Sequence, residues 1–212
     1  MPPLLHLANV SVRLDGRDIV RNVSCDVEEG ESVAIFGPNG SGKTILLKSI
    51  LGIVPHDGDI RWERDATIGY VPQKIDADRT LPLVIRDLFD SKIKVTGRGR
   101  DEVAAVIANV GLTDDIVQAP IGTLSGGQFQ RVMIAFALLG RPDIVFFDEP
   151  TASIDEPGEE RMYELIHRLQ SERGMAVVVV SHDPAFVRRY ANRVLCLNHT
   201  VTYYGPPRDH FA

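Results

Sequence analysis

The sequence predicts an α/β fold built on a mixed β-sheet, and three observations support this prediction. Short apolar segments that fit buried strands alternate with helical patterns in the second half of the chain, as at "DIVFFDE", "MAVVVVSH" and "RVLCLN". The first two strands are separated by Asp15-Gly16, a pair typical of antiparallel hairpins. Residues 75–130 carry helical patterns and no convincing strand. We therefore expect a sheet covered by helices on both faces, an antiparallel β-layer before it and a helical insertion.

The N-terminal part is predicted to contain five strands and one helix. "LLHLANVSVRL" and "DIVRNVSCDV" form the hairpin, and "SVAIF" (Ser32–Phe36) is a short apolar strand that leads into a glycine-rich loop. A helix is expected from Lys43 to Ile50, ending near Gly52. "DGDIRW" and "TIGYVPQ" indicate two further strands.

The middle of the chain is predicted to be helical, and strands return after it. "LPLVIRDLFD" and "DEVAAVIANVG" indicate helices of a subdomain at residues 75–130. After the strand "DIVFFDE", a helix is expected from Glu156 to Arg173, with one apolar stripe and Gly174 as its stop. A short helix follows Asp183. We expect one domain, residues 1–212, in which residues 1–74 and 131–212 form the β-layer and the core.

Composition limits the partners of the chain. A length of 212 residues suits one ordinary domain. The net charge of −6 and the pI near 5.5 give no global basic field, so we expect no nucleic-acid partner. The longest apolar runs, "VMIAFALL" and "MAVVVV", fall well short of the roughly 20 residues that span a bilayer. With two cysteines and no signal peptide at "MPPLLHLANV", a reducing cytoplasmic location is expected.

Gly37 to Thr44, "GPNGSGKT", match the phosphate-binding P-loop pattern in full. Its glycines let backbone N–H groups curl round a phosphate, Lys43 can reach the β and γ phosphates, and the Thr44 hydroxyl can bind Mg²⁺. The preceding strand and following helix are the context that this motif requires. An ordinary glycine-rich turn is the alternative, and the full match disfavours it.

Two adjacent carboxylates end the strand "DIVFFDEP". Asp148 is placed to hold Mg²⁺ through water, and Glu149 can polarise an attacking water. By itself the segment equally fits a strand followed by an acidic turn. After a P-loop, it indicates nucleotide hydrolysis.

A second anion site is predicted at "TLSGGQFQR", Thr123 to Arg131. Ser125, Gly126 and Gly127 open a helix, and a helix N-terminus offers free N–H groups and the positive end of the helix dipole. Unlike the P-loop, the segment contains no lysine and no metal ligand. It therefore requires a separate explanation.

Taken together, these motifs resemble the ATP-binding cassette family over essentially the whole chain. The resemblance implies a P-loop ATPase core with a mixed sheet, an N-terminal antiparallel β-layer, and a helical subdomain between the glutamine loop and the signature motif. It implies ATP and Mg²⁺ as ligands. Gln73 of "GYVPQK" matches the glutamine loop, which contacts Mg²⁺ and the hydrolytic water. His182 of "VVVVSHD" matches the switch histidine that contacts the γ-phosphate and helps Glu149 align water.

The family resemblance also assigns nucleotide contacts by position. "TASID" resembles the loop that crosses to the opposite subunit, with Asp155 at its end. Family members place an aromatic side chain on adenine at the position that aligns with Leu14, which offers apolar contact without a π-face. The full set of expected nucleotide contacts is Leu14, Asn39, Gly40, Ser41, Gly42, Lys43, Thr44, Ile45, Ser125, Gly126, Gly127, Gln128 and Asp155.

The segments between the motifs are similar to the zinc and manganese importers of this family. "IGYVPQKIDADRTLPLVIRDLF" and "VLCLNHTVTYYGPP" carry this likeness. It implies a separate membrane permease that docks near Gln73–Leu88, and indirectly a metal-binding protein outside the cytoplasmic membrane. Zinc is the favoured cargo and manganese the next, and the chain is expected on the inner face of the membrane through the permease.

The resemblance further implies a head-to-tail homodimer in the ATP-bound state. In that pair, the signature loop of one copy completes the ATP pocket of the other, which explains the second anion site. Two other hypotheses stay open at this point. A cassette for another cargo has the same motifs, and a nucleic-acid-associated cassette ATPase is disfavoured by the acidic pI and by the absence of heptads in residues 75–130.

Overall fold

The computed structural model describes residues 2–73, 83–151 and 156–209. The strands are β1 (Leu5–Leu14), β2 (Arg17–Val27), β3 (Ser32–Phe36), β4 (Asp57–Trp62), β5 (Ile68–Val71), β6 (Ile144–Asp148), β7 (Ala176–Ser181), β8 (Arg193–Asn198) and β9 (Thr200–Gly205). The helices are α1 (Lys43–Ile50), α2 (Ile85–Thr96), α3 (Val103–Asn109), α4 (Gly126–Leu138), α5 (Glu156–Arg173) and α6 (Pro184–Tyr190).

The N-terminal sheet is the antiparallel β-layer that the sequence predicts. Its order is β2-β1-β4, and β1 pairs antiparallel with both neighbours. The register shifts along β1, and Asn9 and Asn22 adopt positive φ angles of 54° and 51°. Asparagine tolerates this left-handed conformation better than most residues, so the irregular strands remain paired.

The larger sheet is mixed, as expected, and has six strands in the order β5-β6-β7-β3-β8-β9. The first five are parallel, and β9 runs antiparallel to β8. The hairpin strand β9 was not predicted, because "HTVTYYG" has neither a paired glycine turn nor a continuous apolar run. It forms one edge of the sheet and contacts β2 of the β-layer.

Two hydrophobic cores lie on opposite faces of the larger sheet. Alternate residues of β6 divide between them, with Val145 and Phe147 in one core and Ile144 and Phe146 in the other. The first core includes the helices from α2 to α6, and the second includes α1 and the β-layer. This two-sided burial explains why "DIVFF" and "VVVV" are apolar at successive positions.

Between β5 and β6 the described chain is helical, in agreement with the predicted insertion. Phe89 of α2 stacks on Phe136 of α4, with ring centroids 6.2 Å apart. Lys92 also joins these helices, since its ammonium donates to the carbonyl of Phe136 at 2.6 Å. The helix α4 continues past residue 130 into the core, and the division at residues 75–130 remains a prediction.

No helix of the described residues is long and apolar enough to cross a membrane. The parallel strands β3, β5, β6 and β7 all end at one edge of the larger sheet. Ligands of open α/β sheets bind beyond this carboxyl edge. The P-loop, Gln73, Asp148, Glu149 and His182 lie at or just beyond the ends of those same strands.

Candidate nucleotide site

The phosphate-binding loop connects β3 to α1, as its motif requires. The chain passes so close to β8 at Gly37 that a Cβ atom there would lie 2.1 Å from the carbonyl oxygen of Leu197. Gly42, the residue before α1, has a φ of 101°, and a Cβ on it would meet the Val20 side chain at 2.7 Å. Position 37 therefore requires glycine for space, and position 42 requires it for both space and backbone conformation.

Lys43 is almost fully buried inside the loop that precedes it. Its ammonium donates to the carbonyl oxygens of Gly37 at 2.9 Å and Pro38 at 3.1 Å. It also lies 3.8 Å from a carboxylate oxygen of Glu149. A buried ammonium needs such partners, and these acceptors hold the positive charge at the mouth of the loop.

Thr44 and Asp148 form the polar link between the P-loop and β6. The Thr44 hydroxyl donates to the Asp148 carboxylate at 2.8 Å. Burial raises the pKa of Asp148, while the bond from Thr44 acts in the opposite direction. A hydroxyl and a carboxylate in contact are oxygen ligands of the kind that Mg²⁺ prefers, so the pair fits that ion.

Glu149 follows β6 and connects three parts of the site. Its carboxylate accepts a hydrogen bond from the Gln73 amide at 2.7 Å. Its backbone N–H donates to the carbonyl of Val180 on β7 at 3.1 Å, and its φ is 48°. The unusual backbone angle turns the carboxylate toward the P-loop lysine, which suits a group that acts on water beside a phosphate.

A cavity of about 330 Å³ opens in front of the P-loop. Gln73, Glu149 and Ile19 of β2 contribute to its lining. Ile19 was missed by the sequence analysis, although "DIV" at the start of β2 is an apolar signal next to the expected base contact. The P-loop and the start of α1 line the cavity with Asn39, Gly40, Gly42, Lys43, Thr44 and Ile45.

The predicted contact Ser41 lies in the P-loop but not in the lining of this cavity. Ser41 is buried in the loop, and its oxygen has no hydrogen-bond partner in residues 2–73, 83–151 or 156–209. An unpaired buried hydroxyl is costly, and a phosphate oxygen would supply its acceptor. Together with the buried ammonium of Lys43, this unpaired hydroxyl supports a loop that fits an anion.

Leu14 and His182 lie outside the lining of this cavity. Leu14 is half-buried at the end of β1 and packs against the β-layer core. His182 is exposed directly after β7. The neighbouring Ser181 accepts a hydrogen bond from the backbone of Asp183 at 3.0 Å, which closes a turn around the histidine.

The signature loop caps α4 and does not border the P-loop cavity. Ser125 accepts a hydrogen bond from the Gln128 backbone at 3.2 Å, and the Gln128 side chain accepts one from the Ser125 backbone at 3.0 Å. This is a capping box that fixes the first turn of the helix. Gly126 and Gly127 are exposed, with open space where a Cβ would stand. Asp155 lies outside the described residues.

Comparison with known proteins agrees with this geometry. Residues 20–152 match the ABC transporter family. The chain is 44% identical over 208 residues to the zinc import ATP-binding protein ZnuC of Brucella abortus, with 97% of this chain and 68% of that protein covered. It is 40% identical over 205 residues to the protein of the same name from Jannaschia sp., covering 96% and 83% of the two chains.

A solved structure shows the same fold. The protein cbiO1 of Clostridium perfringens, part of the ABC transporter complex cbiONQ, superimposes with a TM-score of 0.85 at 24% identity. The alignment covers 100% of this chain and 91% of that one. The chain belongs to the ABC transporter family, and it is an ATPase built on that family's P-loop fold.

Proposed function

We propose that this ATPase is the energy-supplying subunit of an importer for a divalent transition metal, with zinc as the favoured cargo and manganese the next. The relatives that match it over nearly its whole length are named as zinc import ATP-binding proteins. The cargo assignment depends on that similarity. The ATPase assignment depends on the Lys43, Glu149 and Gln73 contacts at the P-loop.

Within this proposal, the polar groups of the site divide phosphate binding and water activation among them. Lys43 and the P-loop backbone bind the β and γ phosphates, and Glu149 polarises the attacking water. Gln73 and His182 align that water and the γ-phosphate. The described contacts support this division, because Lys43 and Gln73 both approach the carboxylate of Glu149.

Thr44, Asp148 and Gln73 would hold Mg²⁺. The bound ion would neutralise charge on the phosphate oxygens. Asp148 is fixed for this task by burial on β6 and by the Thr44 hydroxyl. Thr44 is the second residue of α1, directly after Lys43, so its hydroxyl lies beside the loop that would bind the phosphates.

The active form is proposed to be a head-to-tail homodimer with ATP bound. The exposed glycines of the signature loop support this, because they offer N–H groups at a helix N-terminus away from the cavity of their own chain. A second copy brings them to the γ-phosphate, together with Asp155. The contacts expected in this loop are Ser125, Gly126, Gly127 and Gln128.

A membrane permease is proposed to dock at Gln73–Leu88, and a metal-binding protein outside the membrane delivers the cargo to it. Leu83 supports this docking segment, because its side chain is 43% exposed and apolar. Residues 74–82 of the segment lie outside the described ranges. On this proposal the chain works on the cytoplasmic face of the membrane, without nucleic acid.

The decisive experiment measures metal uptake and turnover together. Glu149→Gln should keep ATP binding and lower ATP turnover by about a thousandfold, since the group that polarises water is lost. In cells starved of metal, that variant should abolish uptake of radioactive zinc. The matched control is Glu63→Gln, an exposed glutamate after β4, which should behave as wild type.

Two outcomes would contradict different parts of the proposal. If Glu149→Gln loses turnover but zinc and manganese uptake persist, the metal cargo is wrong and another cargo takes its place. If turnover survives the substitution, the assigned role of Glu149 is wrong.

A further inference from the structure

Three buried hydroxyl groups form a chain between the two loops that carry Glu149 and His182. The hydroxyls of Thr151 and Tyr163 lie 3.0 Å apart, and those of Tyr163 and Ser181 lie 3.3 Å apart. All three residues are at most 5% exposed. Thr151 is two residues beyond Glu149, and Ser181 directly precedes His182.

The ring of Tyr163 is held firmly where its hydroxyl can reach both loops. Tyr163 lies on α5, and its ring stacks on Phe186 of α6 with centroids 4.1 Å apart. Burial raises the pKa of Tyr163, so the hydroxyl stays neutral and can share its proton with either neighbour. Hydrogen bonds in such a dry environment are stronger than in water, and they are costly to break.

Hydrogen bonds of Ser181 also fix the backbone on either side of His182. Its hydroxyl accepts the backbone N–H of Asp183 at 3.0 Å, so residues 181 and 183 are both fixed around His182. Asp183 in turn caps α6 by accepting the N–H of Ala185 at 2.7 Å. The backbone of His182 is therefore set by a polar chain that starts at Thr151.

We infer that Tyr163 is a positioning residue that fixes His182 relative to Glu149 for the hydrolysis step. Thr151 also opens the segment expected to cross to the partner subunit. Through Thr151 and Ser181, the Tyr163 hydroxyl thus connects the loop that carries Glu149 with the loop that carries His182. This inference rests on the roles proposed above for Glu149 and His182.

The test removes only the hydroxyl. Tyr163→Phe keeps the ring stacked on Phe186, so the purified chain should fold and bind ATP with KM changed less than about twofold. Its kcat should fall about tenfold, because the hydrogen bonds of the hydroxyl to Thr151 and to Ser181 are both lost in the reacting state. Ser181→Ala also removes the acceptor of the Asp183 N–H, so its kcat should fall at least as far, and the double variant should be no worse than Ser181→Ala alone.

A matched control comes from the next helix. Tyr190 of α6 has a buried hydroxyl without a hydrogen-bond partner in the described parts of the chain. Tyr190→Phe removes the same atom from a similar place, so kcat and KM should both remain at the wild-type values. Urea unfolding of each variant separates lost stability from lost turnover.

A second measurement distinguishes positioning from general loosening. If Tyr163 acts through His182, adding Tyr163→Phe to His182→Ala should leave the remaining turnover unchanged. A further fall in that background would overturn the inference, as would an unchanged kcat in Tyr163→Phe. If His182→Ala itself keeps full turnover, the proposed role of His182 fails, whatever Tyr163→Phe does.

Discussion

At the scale of single residues, buried polar groups identify the working edge of the sheet. Eight polar or charged residues of the described chain are less than about a tenth exposed, and five of them follow the strands β3, β6 and β7 or end them. These five are Ser41, Lys43, Asp148, Thr151 and Ser181. Burial of polar groups is unfavourable unless they are paired, so their concentration at one edge marks a functional site.

Lys92 shows a different use of a buried charge. Its ammonium donates to the carbonyl oxygens of Phe136 and Ala137, in the last turn of α4, and lies 4.9 Å from the centre of the Phe136 ring. Burial lowers the pKa of Lys92 from 10.5 to about 8. The unfolded chain therefore binds more protons between these two pH values, and stability rises with pH across that window.

We predict that the free energy of unfolding of the wild type, relative to Lys92→Met, rises by about 1–2 kcal/mol between pH 7.5 and pH 10.5. Taking the difference in free energy of unfolding between the two proteins cancels the contributions of other groups that titrate in this pH range. Urea unfolding at both pH values measures it. Lys94→Met, an exposed lysine on the same helix, should show no such difference, and parallel curves for Lys92→Met would refute the prediction.

At the scale of elements, the turn between β8 and β9 joins the P-loop to the β-layer. His199 lies in this turn with a φ of 60°. Its backbone N–H donates to the carbonyl of Ser41 at 3.0 Å, and its carbonyl accepts from the N–H of Arg21 at 2.7 Å. Its ring Nδ1 donates to the carbonyl of Ile19 at 2.9 Å. One residue thus holds the loop and the apolar wall of the same cavity.

We predict that His199→Ala raises KM for ATP about fivefold and leaves kcat within twofold, since one hydrogen bond contributes about 1 kcal/mol. The loss falls on binding because the lost bond holds Ile19, an apolar residue of the cavity lining, and not one of the polar groups assigned to the reaction. Steady-state kinetics measure it, with His56→Ala, an exposed histidine before β4, as the control. A lower kcat with unchanged KM would mean that the turn acts on the chemistry instead.

At the scale of the whole molecule, one chain carries two predicted anion sites that do not meet. The P-loop cavity is lined by residues of β2, the P-loop, Gln73 and Glu149, whereas the signature loop lies exposed at the start of α4. The capping box already fixes the first turn of α4 without a ligand. A preorganised but exposed N-terminus is suited to a phosphate held by a second copy.

We predict that Ser125→Arg keeps ATP binding to the monomer and abolishes ATP-dependent dimerisation and turnover. The long cation removes the cap and fills the space in which the partner's phosphate would lie. Size-exclusion chromatography with light scattering measures the dimer, in the Glu149→Gln background so that ATP persists. Ser171→Arg, an exposed serine on α5, should dimerise normally, and normal turnover in Ser125→Arg would rule out the role in trans.

Local patterns were sufficient for most of the fold. The apolar runs of β3, β6 and β7, the helix from Lys43 to Ile50 and the helix from Glu156 to Arg173 were all predicted within a residue or two, and the structure confirms them. They were predictable because caps, glycines and periodicity act over a few neighbouring residues. The edge strand β9 was not, because its pairing with β8 depends on a distant partner more than on its own composition.

The sequence alone determined the chemistry available to this protein: a P-loop lysine, a pair of carboxylates after a buried strand, and a glycine-rich helix start. Only the tertiary structure decided which of these groups meet. It brought Gln73 and Lys43 to Glu149, placed Ile19 on the cavity wall, and connected Thr151 to Ser181 through Tyr163. The physical reason is that motifs are encoded by local spacing, whereas contacts between loops are set by how parallel strands align in the sheet.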